Sequence, residues 1–189
     1  MYLFFDTETT GLPKNWTAPV TDLKNWPRMV QIAWLVYDEA GNLQAEADYI
    51  IKPQGYTIPA ETARIHGITT EKAAAEGHDL ATVLSLFQSA VQETKYLVAH
   101  NIAFDVKIVG AEFLRNGMSN TLPAKSQLCT MEGSKEFCAI PGNYGYKWPR
   151  LSELHKKLFH SSFSEAHNAK VDIAITAKCF WELRKKGVL

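Results

Sequence analysis

The sequence predicts a mixed α/β domain, a sheet covered by helices, on three observations. Short apolar runs at YLFF (2–5), VQIAWLVYD (30–38) and YLVAH (96–100) have the length and the β-branched and aromatic content of buried strands. Segments such as LATVLSLFQSAVQ (80–92) instead carry apolar residues at helical spacing. Three strands come first and helices alternate with strands afterwards, the order of a mixed sheet whose apolar strands need helices on their faces.

The elements follow in order. Residues 2–5 are the first strand, and PKNWTAPVTDLKNWP (13–27) is loop because of its Pro and Asn content. Residues 30–38 and LQAEADYIIK (43–52) form a hairpin around Gly41-Asn42. AETARIHGI (60–68) is a short helix stopped by Gly67, and 80–92 is a helix burying Leu80, Val83, Leu84, Phe87 and Val91. After the strand 96–100, Asn101 is expected to cap a helix through Phe104, Ile108, Ala111 and Leu114 that ends at Gly117. Gln127 to Met131 is a short strand, and 132–149 reads as a loop rich in Gly, Pro and aromatics. RLSELHKKLF (150–159) and 168–186 are the last helices, the final one carrying Arg184, Lys185 and Lys186 where cations complement the helix dipole.

With 189 residues, 46% apolar and 21% charged, the chain is expected to form one domain over 1–189. MYLFF has no basic start and no cleavage site follows it, and no run is apolar for long enough to span a bilayer, so a cytoplasmic protein with no membrane partner is expected. Cys129, Cys138 and Cys179 are odd in number and widely spaced, which suggests neither a disulfide framework nor a thiolate zinc site. The formal net charge is zero, so a nucleic-acid partner would have to be held by local contacts rather than by an overall basic surface.

The chemistry concentrates in acids. In FFDTETTGLP (4–13), strand alternation sends Asp6 and Glu8 to one side, about 6–7 Å apart at the backbone. Two such carboxylates repel unless a cation sits between them, and oxygen donors favour a hard divalent ion. Asp105 follows another buried strand at a helix start, where the helix dipole explains an acid equally well by itself and where ligands also collect in open α/β sheets. In SEAHNAKVDIAIT, Asn168 as N-cap puts Asp172 on a helix and His167 in the preceding loop, free to lean over the same place.

DTETTG, HNIAFD and HNAKVD, in that order, resemble the three motifs of the DnaQ-like (DEDDh) 3′–5′ exonuclease family, and they reach from residue 6 to residue 172. The resemblance implies a ribonuclease H-like fold, a mixed five-stranded sheet with three antiparallel strands and then two parallel, flanked by helices. It also implies catalysis by Asp6, Glu8, Asp105, His167 and Asp172, with the four acids holding two divalent ions, Mg2+ or Mn2+, and His167 as general base. Thr9, Gly11, Leu12, Glu61, Ile65, His66, His100 and Phe104 are implied around the terminal nucleotide. The implied activity is release of nucleoside 5′-monophosphates from a DNA 3′ end, preferably single-stranded. An RNA exonuclease resembling ribonuclease T or oligoribonuclease is the alternative, as is a non-catalytic nucleic-acid-binding or polymerase-accessory module. The resemblance to a proofreading subunit leaves polymerase association open, although no docking tail is visible after the last helix.

Other readings stand beside these. Leu12, Ile65 and Phe104 also fit ordinary core packing, and His66 and His100 fit satisfied core histidines. His155 and His160 have no acid or thiolate at ligand spacing. Tyr144, Tyr146, Lys147, Trp148 and Arg150 are read as packing over the sheet, with stacking on a single strand as the alternative.

Overall fold

Alternation along the first strand decides the architecture. In β1 (Tyr2–Thr9) the residues Leu3, Phe5 and Thr7 point to one side of the sheet, and Tyr2, Phe4, Asp6 and Glu8 to the other. β1 pairs antiparallel with β2 (Met29–Tyr37), which pairs antiparallel with β3 (Leu43–Ile50). On its other flank β1 runs parallel to β4 (Tyr96–Ala99), and β4 parallel to β5 (Ser126–Cys129). The resulting five-stranded sheet, ordered β3-β2-β1-β4-β5, has the mixed ribonuclease H-like arrangement. The structure, a computed structural model, describes residues 1–163 and 167–189.

Between β3 and β4 lie α1 (Ala60–His66), α2 (Thr70–Glu76) and α3 (Leu80–Glu93), and α4 (Ile102–Arg115) follows β4. After β5 come α5 (Thr130–Gly133), α6 (Lys135–Cys138), a small hairpin of β6 (Pro141–Gly142) and β7 (Gly145–Tyr146), then α7 (Leu151–Phe159) and α8 (Ala169–Lys185). On one face Phe87 of α3 meets Phe5 and Trp34. On the other, Phe180 and Trp181 of α8 meet Phe4, and Trp181 also meets Tyr37. Each fully buried Phe contributes roughly 1.5–3 kcal/mol, so packing fixes α8 against the face that carries Asp6 and Glu8. Among the described residues no helix is long and apolar enough to cross a membrane.

Several elements differ from expectation. β1 runs on through Thr9, because Asp6, Thr7 and Glu8 pair with Ala33, Ile32 and Gln31, so the acidic motif lies inside the sheet. α2 was not expected; Thr69 caps it by accepting from the Lys72 N–H at 3.2 Å, and TEKAAAE is rich in good helix formers. Asn101 does not cap α4 through its side chain; it turns the chain from β4 into α4 with φ 75°. That left-handed conformation is one Asn tolerates better than most residues. β5 stops at Cys129 instead of reaching Met131, since Thr130 and Met131 turn into α5.

The segment 132–149, expected as loop, holds part of α5, α6 and the β6–β7 hairpin. Gly145 takes φ +85°, and a Cβ on Gly142 would lie 3.1 Å from the Gly145 carbonyl, so two glycines make this hairpin close. As expected, Asn168 caps α8, its Oδ1 accepting from the Lys170 N–H at 3.1 Å.

A buried ionic cluster holds the loop between β1 and β2. Glu112 of α4 is fully buried and accepts from Arg28 Nε at 2.8 Å, the Met29 N–H at 3.1 Å and Arg115 Nη1 at 2.9 Å. Arg115 also donates to the Leu23 and Trp26 carbonyls. The loop is therefore pinned to α4 at its far end and to β1 through the bond from the Thr10 N–H to the Arg28 carbonyl.

Candidate active site

Because Asp6 and Glu8 share parity on β1, both face α8, whose first turn carries Asp172. One carboxylate oxygen from each of the three lies within 4.8 Å of the others. Asp105, in the first turn of α4, is 3% exposed and approaches from the opposite side of the strand. One of its oxygens accepts from both the Thr7 N–H at 3.1 Å and the Thr7 hydroxyl at 2.7 Å. The cluster thus draws on β1, α4 and α8, which the sequence separates widely.

Electrostatics makes it a high-energy cluster. Burial and then the charges of Asp105, Glu8 and Asp172 hold the Asp6 carboxyl well above the usual carboxylate range. Glu8 is pushed up to about 8 by burial, then by Asp172 and Asp105. Asp105 rises to about 7 through burial, despite the opposing Thr7 hydrogen bonds. Carboxyls crowded this closely ionise together only when a cation relieves them. Converging oxygens with no thiolate or imidazole among them fit a hard divalent ion.

A cleft of about 370 Å³ opens beside the cluster, lined by Asp6, Asp172, His167, His100, Trp148 and Arg150 among others. His167 is exposed, has φ 41° and precedes the Asn168 cap, so it stands at the mouth of the cleft with Asp172 one turn away on α8. Asp172 is only partly buried, and its neighbour Val171 is exposed, so this stretch of α8 borders solvent instead of being enclosed.

The residues expected around a nucleotide divide by environment. Leu12 and Ile65 are 71% and 55% exposed, which removes core packing as their explanation. Gly11 has φ +151° with open space where a Cβ would stand, and Thr9 is buried, its hydroxyl donating to the Gly11 carbonyl at 2.7 Å. Glu61 lies exposed in the first turn of α1. His66 is buried, and burial lowers its pKa while the Thr9 backbone opposes the shift. Its Nδ1 accepts from the Ile68 N–H at 3.2 Å. Phe104 is half-buried against Trp16, ring centroids 5.7 Å apart. His100 lines the cleft while its two ring nitrogens lie 3.0 Å from Thr130 Oγ1 and from the Pro149 carbonyl, tying the wall of the cleft to α5.

Two contributors escaped sequence reasoning. Gln31, 2% exposed, pairs across from Glu8 on the α8 side of β2. Its Oε1 accepts from the Ala169 N–H at 3.3 Å and its Nε2 donates to Asp48 at 2.7 Å, so it fastens the start of α8 to the sheet. The signal was a lone amide inside the apolar run VQIAWLVY. Thr7 holds Asp105, as an odd-numbered residue of the DTET motif that faces α4.

The chain matches the RNase_T family model, described as exonuclease, over residues 3–180. It belongs to the DnaQ-like exonuclease family. It is 31% identical over 185 residues to the 3′-5′ exonuclease DinG of Bacillus subtilis, covering 98% of this chain and 18% of that protein. It is 31% identical over 177 residues to the PolC-type DNA polymerase III of Streptococcus sanguinis, covering 94% of this chain and 11% of the polymerase. The chain therefore spans less than a fifth of these relatives. A zinc-bound complex of E. coli ExoI with single-stranded DNA superposes with a TM-score of 0.77 at 23% identity, covering 98% of this chain and 40% of that one, a likeness of fold.

Proposed function

We propose that the protein is a metal-dependent 3′–5′ exonuclease of the DEDDh type that releases nucleoside 5′-monophosphates from DNA, preferring single-stranded 3′ ends. The observation that carries this reading is the convergence of Asp6, Glu8 and Asp172 within 4.8 Å, on a cleft that His167 also lines. Asp6, Glu8, Asp105 and Asp172 hold two divalent ions, with Mg2+ or Mn2+ favoured by the all-oxygen donor set. When bound, such ions supply an activated water and neutralise charge developing at the phosphorus.

The chain's own residues do the rest. The Thr7 hydrogen bonds fix the Asp105 carboxylate in orientation, and Gln31 sets the height of Asp172 by anchoring α8. His167, exposed at the cleft, takes a proton at an imidazole nitrogen as general base. Thr9 and Gly11 present backbone to the terminal sugar, where the missing Cβ at Gly11 leaves room, and Leu12 and Ile65 offer apolar surface to the base. Glu61, His66, His100 and Phe104 complete the surroundings of that nucleotide.

Residues 1–189 act as one exonuclease domain in this reading, in the cytoplasm. Support for a polymerase partner comes from the PolC-type relatives, in which the matched stretch is about a tenth of the protein. The test is a 5′-labelled single-stranded DNA incubated with Mg2+ or with EDTA. Shortening from the 3′ end that needs metal and disappears in Asp6→Ala is expected; equal ladders with and without metal, or none, overturn the proposal. A matched RNA oligomer cut faster than the DNA would move the reading to an RNA exonuclease.

A further inference from the structure

Trp148, Pro149 and Arg150 line the cleft, and the β6–β7 hairpin that leads into them carries Tyr144 and Tyr146 exposed instead of packed over the sheet. Tyr144 at the tip of the β6–β7 hairpin is 99% exposed, Tyr146 is exposed on β7, and Trp148 is 59% exposed. Pro149 is buried, and its carbonyl is held by His100, so the chain is fixed immediately beside Trp148. Lys147 is engaged with Glu153 at 2.6 Å, and the Lys147 N–H donates to the Ile140 carbonyl at 2.9 Å, bracing the base of the hairpin against α7. The base of the hairpin and Pro149 are thus anchored while the rings of Tyr144, Tyr146 and Trp148 face solvent.

Trp148 and Arg150 line the same cleft as Asp6, Asp172 and His167. Leu12 and Ile65, on the terminal-nucleotide side, are not part of that lining among the described residues. With the last nucleotide by His100, Leu12 and Ile65, the nucleotides before it have the part of the cleft lined by Trp148 and Arg150 open to them. We infer that Tyr144, Tyr146, Trp148 and Arg150 form a stacking platform for the unpaired bases just upstream of the scissile phosphate, with Arg150 meeting the backbone phosphate.

The inference rests on the exonuclease reading and deepens it by naming what the far side of the site accepts. Exposed aromatic faces stack on any base, and an adjacent guanidinium adds charge complementarity to phosphate. Bases in a duplex are already stacked and paired, so such a platform selects single-stranded ends without selecting sequence. It also supplies the local contact that a chain of zero net charge needs.

The experiment compares a single-stranded decamer with the p-nitrophenyl ester of thymidine 5′-monophosphate, which offers a terminal nucleotide and no upstream base. For Trp148→Ala and Tyr144→Ala, kcat/KM on the decamer is expected to fall about tenfold further than on the ester, through KM, with Trp148→Phe in between. Equal losses on both substrates, or no loss on either, overturn the platform. Binding of a fluorescein-labelled decamer in EDTA is read in parallel by anisotropy. If wild type cuts neither substrate the exonuclease reading falls, and the binding measurement still decides the platform: weaker binding by Trp148→Ala supports it, equal binding overturns it.

Discussion

Removing metal should make stability fall as pH rises, opposite to the usual behaviour of paired carboxylates. Glu8 titrates near 8 and Asp105 near 7 in the folded chain, against ordinary values of 4.5 and 3.8. Between those limits the folded protein binds more protons than the unfolded one, so its stability is complete below about pH 4 and declines until about pH 8. At about 1.4 kcal/mol per pH unit, Glu8 alone corresponds to a ceiling of about 5 kcal/mol. Glu8 keeps some contact with water, and part of its shift comes from the charges of Asp172 and Asp105, which relax as those groups take up protons, so about 2–3 kcal/mol is the expected loss. For a chain of this size that is a fall in Tm of about 5–10 °C.

The assay is thermal melting in EDTA from pH 5 to 9, repeated with Mg2+. Metal should raise Tm strongly at pH 8.5 and little at pH 5, and Glu8→Gln should raise the metal-free Tm at pH 8.5 while abolishing activity. A metal-free Tm that is flat or rising with pH, or a metal effect of equal size at both ends, would refute the electrostatic reasoning.

Three further outcomes are expected. His167→Ala should lower kcat by about 10²–10⁴-fold with an unchanged Tm, since the side chain is exposed; activity near wild type in a rate assay would remove the base assignment. Gln31→Ala should cost about 2 kcal/mol by stripping partners from the Ala169 N–H and Asp48, and should lower kcat more than it changes KM. Gln31→Glu, which keeps an acceptor for Ala169 but sets a second carboxylate against Asp48, should not recover that rate. Glu112→Ala should destabilise by about 3–5 kcal/mol, because Arg28 and Arg115 lose their buried counter-charge, measured by urea unfolding.

The acids were legible because each sits in a short local signal: DTET on an apolar run, Asp105 after YLVAH, Asp172 behind an Asn cap. Strand parity, which the apolar alternation encodes, put Asp6 and Glu8 on one side, whereas the strand order and the arrival of Asp105 and Asp172 beside them were implied by the resemblance of the three motifs to the DnaQ-like family. What stayed hidden depends on neighbours far along the chain. Nothing near Leu12 or Ile65 distinguishes an exposed leucine from a packed one. Gln31 acquires its role only when Ala169 arrives beside it, 138 residues later. The glycines at 142 and 145 looked like loop residues until a hairpin closed between them, and only then did Tyr144 and Trp148 stand clear of the core.

The parity of β1 has a consequence for how the chain finds its fold. Slipping β1 by one residue would leave Phe4 exchanged with Phe5, a nearly neutral swap for an apolar strand. The same slip would drive Asp6 and Glu8 into the layer that Phe87 fills and leave them without water or cation. The pair that makes the strand costly in the finished protein thus marks the correct pairing during folding, and a chain relieved of both acids would lose a guide to its own register along with its chemistry.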